Sequence, residues 1–152
     1  MEKSFVTVMR IICASALVSS TAVFANQVNV SIVADLTSAT LGAKAGDTIW
    51  VAPGKYELPT SNCKNDKFVN ETGRDCGLIW LGADGTKANP VVLDGSDPKN
   101  PPEIFSSDYK HHYGIHVTGN YVILKHLKIH SFSKGVVFDN SVGALMEDCE
   151  VY

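Results

Sequence analysis

After residue 25 the sequence holds a single arginine, Arg74, and three cysteines, Cys63, Cys76 and Cys149. It holds no apolar run near the roughly 20 residues a bilayer-spanning helix needs, so no membrane partner is expected. With 11 Lys+Arg against 15 Asp+Glu this stretch carries a formal charge of −4. That is the wrong sign for a nucleic-acid partner, which favours a basic face. Long amphipathic helices are missing too, and the readable strands are too short for an ordinary sandwich.

The first residues stand apart from this pattern. Lys3 and Arg10 precede an apolar run, Ile11 to Val18, and a small-residue region ending "TAVFA". Val23 and Ala25 take the positions that precede cleavage, so residues 1–25 read as a secretory signal peptide and 26–152 as the mature chain. Export permits disulfides. Cys63 and Cys76 bracket a polar loop with little apolar content, "CKNDKFVNETGRDC", and a bridge between them is the economical reading. Two N-glycosylation sequons begin at Asn29 and Asn70 and matter only in a cell that glycosylates.

Beyond a short helix expected at Leu36 to Ala43, with Asp35 as N-cap, everything reads as brief strands. They are Ile49–Val51, Leu78–Leu81, Val91–Leu93, Ile115–Val117, Val122–Leu124, Leu127–Ile129, Val136–Phe138, Leu145–Met146 and Cys149–Val151, each bounded by Gly, Asn, Asp or Pro. Two stretches repeat. Gly114, Ile115 and Val117 align with Gly135, Val136 and Phe138 at an offset of 21. Val122, Leu124, Leu127 and Ile129 then align with Ala144, Met146, Cys149 and Val151 at an offset of 22. Every pair is apolar, and mostly polar residues lie between. Strands this short bury a face only when stacked, about 4.8 Å apart, around a continuous apolar column. The repeat therefore predicts a parallel β-helix. Cys149, aligned with inward Leu127, is expected as a buried free thiol. His126, one residue from Leu127, is expected to tolerate substitution as a surface residue does.

In that frame "AGDTIWVAPGKYEL", residues 45–58, reads as a short strand between two corners: Gly46 and Gly54 supply unusual backbone angles, Pro53 a fixed one, and Asp47 bonds to turn amides. "GDTIWVAPGKY" after a short helix resembles the first coil of the right-handed parallel β-helix (pectin-lyase-like) superfamily. "GADGTKANPVVLDG" and "GNYVILKHLKIHSF" resemble its next and later coils. The resemblance covers about residues 36–152. It implies an all-β right-handed solenoid with a short N-terminal capping helix, incomplete at its C-terminal end. It further implies a secreted, monomeric carbohydrate-active protein, foremost a polysaccharide lyase acting on acidic polysaccharide by β-elimination. The alternatives are a non-catalytic carbohydrate-binding β-helix and a β-helix glycoside hydrolase or epimerase.

Lyases of this kind need a basic side chain near the sugar C5 and, often, calcium on clustered acids. On the outer faces of the last two coils the alignment places Lys125, His126, Lys128 and His130, the substrate-groove candidates, and Glu147, Asp148 and Glu150, the calcium candidates. His126 falls opposite Asp148 and Lys128 opposite Glu150, a pattern that equally describes a solvated face of paired charges. His111 and His112 read as solvent-facing loop residues rather than metal ligands. Tyr109, Tyr113 and Tyr121 could stack on sugar rings. The catalytic residues themselves are expected beyond Tyr152, and the chain alone is expected to cleave no polyuronate.

Overall fold

A computed structural model describes residues 25–68, 75–108 and 111–152 of the chain. Residues 1–24 of the segment read as a signal peptide, the Asn70 sequon, Arg74 and Tyr109 lie outside the described residues. The described chain is mostly β. It opens with β1 (Gln27–Val30) and α1 (Val33–Gly42) and continues through β2 (Thr48–Val51) and β3 (Lys55–Glu57). A short 3-10 helix (Thr60–Asn65) leads to β4 (Gly77–Leu81). Then follow β5 (Val91–Gly95), β6 (Glu103–Phe105), β7 (Tyr113–Val117), β8 (Val122–Lys125), β9 (Lys128–His130), β10 (Lys134–Phe138), β11 (Leu145–Glu147) and β12 (Glu150–Val151).

The strands fall into three sheets, and each observed pairing is parallel. Sheet A has the order β1-β2-β5-β8-β11, sheet B β3-β6-β9-β12 and sheet C β4-β7-β10. From β2 onward the chain visits A, B and C in turn and pairs with its own preceding pass. The register agrees with the repeat: Val136 pairs Ile115 at an offset of 21, and Met146 pairs Leu124 at 22.

That register stacks like on like. Ile49, Leu93 and Leu124 form one column in sheet A, Tyr56, Ile104 and Ile129 one in sheet B, and Ile79 and Ile115 one in sheet C. All eight are essentially inaccessible. Each such side chain contributes roughly 1.5–3 kcal/mol relative to leaving it exposed. The last strands differ. Met146 and Val151, which end the sheet A and B columns, are 40% and 43% exposed, and Phe138, which ends the neighbouring Leu81 and Val117 column of sheet C, is 42% exposed, because among the described residues Leu124, Ile129 and Val117 cover them from one side only. Cys149, expected buried, is half-buried for the same reason, and burial pushes its thiol pKa up.

The corners behave as read. Gly46 and Gly54 have φ of 88° and 151°, which favour glycine. Asp47 accepts hydrogen bonds from the Lys44 and Asn26 amides at 2.9 and 3.3 Å. The helix differs: it starts at Val33 with Ile32 as N-cap, so Asp35 sits in its first turn instead of capping it. There its charge still faces the helix's positive end. Leu36 and Thr40 are its buried residues. Three strands, β1, β3 and β6, have no counterpart in the sequence reading.

Candidate functional site on sheet C

The most concentrated polar chemistry lies on sheet C. Residues 59–68 and 75–76 flank that sheet and are tied down at three points. Asn62 donates to Thr37 Oγ1 of α1 at 3.0 Å, Cys63 is bonded to Cys76, and Asp66 accepts from the Gly77 amide at 2.7 Å. The bridge joins the expected pair, with Cα atoms 5.5 Å apart.

Asp66 is the pivot. Its Oδ2 lies 2.7 Å from His116 Nδ1 in β7, and both residues are buried. Burial pushes the Asp66 carboxyl up, but hydrogen bonds from His116, Gly77 and Phe68 and the His116 charge together outweigh it, and its pKa lies below the ordinary carboxylate value. The close approach depends on Gly77, where a Cβ would stand 2.5 Å from His116 Cβ. The other ring nitrogen, Nε2, lies 3.9 Å from Asp139 Oδ2, which is half exposed.

Aromatic rings and lysines surround this pair. Tyr113 and Phe68 meet the His116 ring edge-on, with centroids 5.8 and 6.0 Å away. Lys134 Nζ sits over the Tyr113 ring at 4.8 Å, and Lys67 Nζ over Trp80 at 5.2 Å. Trp80 pairs in register with His116 and donates its indole N–H to Thr118 Oγ1. The face therefore offers two cations, each over an aromatic ring, beside a histidine whose orientation a buried carboxylate fixes. A lysine over an aromatic face gains about 0.5–1 kcal/mol at an exposed site, which holds these ammonium groups at the surface of sheet C.

The residues singled out in the sequence lie elsewhere, along the A–B corner and sheet B. Lys125 Nζ lies 2.6 Å from Glu147, and that hydrogen bond chiefly raises its pKa. Lys128 lies 3.7 Å from Glu150. His126 Nδ1 lies 2.7 Å from buried Asp94, and its Nε2 is 3.9 Å from the exposed Asp148. His130 is stacked between Phe105 and Tyr152, with centroids 5.4 and 5.1 Å away. Those rings cover one another, leaving His130 only its edge for a sugar. His126 is also less superficial than expected, since its φ of 49° forms the corner between β8 and β9.

The residues proposed for calcium do not converge. Glu147 and Glu150 each meet a lysine of the preceding pass. Among the described residues the one cluster of three such groups with all ligand atoms within 4.8 Å is Cys63, Cys76 and His112. His112, expected to face solvent, is 8% exposed. Asn29 is exposed on β1.

Of this cluster only Tyr113 was expected to meet a sugar; the rest of the site was not read from the sequence. No spacing signal links His116 to Asp66, which lies 50 residues earlier in an irregular loop.

A mostly β fold of three parallel sheets, with a polar and aromatic cluster on one outer face, is what the structure defines. Among solved structures, an alginate lyase from Paenibacillus sp. str. FPU-7 is similar, with a TM-score of 0.68 at 23% sequence identity. The match covers 83% of this chain and 36% of the alginate lyase chain, so this chain spans about a third of that protein's length. The likeness is one of fold. No family model matches the chain, and no curated protein does.

Proposed function

We propose that this chain belongs to a secreted, polysaccharide-lyase-like protein built as a right-handed parallel β-helix, which cleaves an acidic polysaccharide by β-elimination. One observation carries the reading: Lys67 over Trp80, Lys134 over Tyr113, and His116 fixed by Asp66 share one face of a fold that an alginate lyase also has. β-Elimination needs a cation at the uronate carboxylate, a base for the C5 proton and an acid for the departing O4. Lys134 and Lys67 suit the first role. Tyr113 suits the proton transfers once its hydroxyl has released its own proton to solvent: the phenolate takes the C5 proton, and the phenol so formed returns it to O4. His116 is only 3% exposed. It is a positioning residue that sets the Tyr113 ring edge-on.

The groove candidates Lys125, His126, Lys128 and His130 would then flank the bound chain rather than perform the chemistry. Calcium remains outside this mechanism, since Glu147, Asp148 and Glu150 do not gather to hold it. Binding without cleavage is the second reading. The low exposure of His116 favours it, because a histidine so enclosed also serves to fix the loop to sheet C.

Unsaturated-product absorbance on pectate and alginate, measured on the whole protein, tests the proposal. Tyr113→Phe should lower kcat by about 100-fold or more, the scale of a lost general acid–base group. Product formation indifferent to Tyr113 would move catalysis away from Tyr113 and contradict its assigned role. No product at all would leave the binding reading.

A further inference from the structure

The Cys63, Cys76 and His112 cluster plays no part in the proposed elimination. Its members come from three places: the 3-10 helix, the residue before β4 and the residue before β7. They are 8%, 0% and 8% exposed. His112 Nδ1 lies 3.3 Å from Cys76 Sγ. We propose that, once the Cys63–Cys76 disulfide is reduced, these three residues form a binding site for a thiophilic divalent cation of the zinc class.

The geometry is close to what such an ion requires. Around tetrahedral zinc, with sulfur at about 2.3 Å and imidazole nitrogen at about 2.0–2.1 Å, a sulfur and a nitrogen stand about 3.6 Å apart and two sulfurs about 3.8 Å. The Sγ–Nδ1 distance is already near the first value. The second is about the contact distance to which two sulfurs relax when their bond is cut. The scaffold does not rely on the bridge alone. The Tyr113 amide donates to the Cys76 carbonyl at 2.8 Å, and the Asp75 amide to the His111 carbonyl at 2.9 Å, holding Cys76 and His112 side by side. Asn62 and Asp66 separately fix the segment that carries Cys63. Cysteine and histidine suit zinc and disfavour calcium or magnesium, which take oxygen ligands. Three protein ligands leave a fourth position for water.

The oxidised and metal-bound forms exclude each other. A dithiol reductant supplies two electrons and two protons, becoming a disulfide itself, and yields two thiols from the bridge. The cation then displaces both thiol protons and is held by two thiolates and the neutral imidazole. The site replaces one crosslink by another at the same place, so the loop carrying Asp66 stays against His116 in reducing surroundings. This inference does not rest on the lyase reading.

Cobalt(II), a spectroscopic stand-in for zinc, tests it in the full chain carrying Cys13→Ser and Cys149→Ser. A phosphine serves as reductant, becoming the phosphine oxide with oxygen from water, because a dithiol would itself bind the metal. Reduced protein should take up one cobalt per chain with sulfur-to-cobalt charge-transfer absorption and intense tetrahedral visible bands, all removed by zinc. Unreduced protein should show neither. His112→Ala should weaken cobalt binding beyond the roughly 10–100-fold that outer-shell partners cost, and His112→Cys should restore it. Far-ultraviolet circular dichroism accompanies each titration. Strand signal lost on reduction and regained with zinc supports the site. Reduced protein without the bands, folded or not, overturns it. So does an affinity unchanged in His112→Ala, or equal binding before and after reduction.

Discussion

At the scale of single residues, position in the stack decides what a substitution does. Leu127 is 1% exposed and belongs to the apolar core. Leu127→Asp should cost about 4 kcal/mol or more, since it removes a packed side chain and buries a carboxyl without a partner. Its neighbour His126 was read as a free surface residue, and that is the part the sequence hid. It bonds to buried Asp94, 32 residues away, and bends the chain at a left-handed φ. His126→Asp keeps a residue type that tolerates this φ but loses the bond and faces Asp94 with a like charge. About 1–2 kcal/mol is the expected cost, still well below that of Leu127→Asp, and denaturant unfolding of both variants compares them. Asp66 adds a pH signature. Its pKa is depressed in the folded state, so its stabilising contribution is fully present above the unfolded value of about 3.9 and is lost as pH falls through the lower folded value. Stability followed from pH 6 downward should therefore drop below about pH 4, and Asp66→Asn should flatten that drop. An equally steep drop in the variant would assign it to other carboxylates.

At the scale of elements, the strands were legible where apolar residues alternate within the repeat. They were illegible where pairing alone makes them. β3 and β6, at "KYE" and "EIF", carry one inward residue each, Tyr56 and Ile104, and become strands only through pairing in sheet B, β3 with β6 and β6 with β9. The helix start was misplaced because no side chain caps it, which removes the usual signal. The loop from residue 59 was read from its cysteines, and its attachment to sheet C was not. That attachment makes two predictions. Gly77→Ala would drive a Cβ against His116 and the Ile79 carbonyl, at 2.5 and 2.6 Å. It should destabilise by about 1–3 kcal/mol, as overpacking does, and should disturb the His116 imidazole resonances. A Gly77→Ala variant with unchanged imidazole signals would contradict the close approach of loop and sheet. Mass spectrometry of unreduced, alkylated peptides should find Cys63 joined to Cys76 with Cys149 alkylated, and reduction should lower stability by about 3 kcal/mol.

At the scale of the whole molecule, the parallel stacking of one pass on the next followed from a repeat of 21 to 22 residues, because a period-2 pattern inside a longer period has few ways to bury its apolar face. The site did not follow. Lys125 and Lys128 were found by the same alignment that found the core, and the structure shows each near an acid one pass away. The sheet C cluster joins residues 66, 67, 80, 113, 116 and 134 from four separate segments, a grouping that only the folded chain creates. The two faces make different demands on an acidic polymer. On sheet C the lysines lie over neutral rings and can meet a carboxylate. On the other face they already have one. Calorimetry of an oligouronate against two double variants of the whole protein, at fixed low salt, measures this directly. Lys67→Ala with Lys134→Ala should weaken affinity by about tenfold or more, a loss of about 1.4 kcal/mol, while Lys125→Ala with Lys128→Ala should leave it within about twofold. The reverse order, with the second pair decisive and the first without effect, would contradict the assignment of the binding face to sheet C.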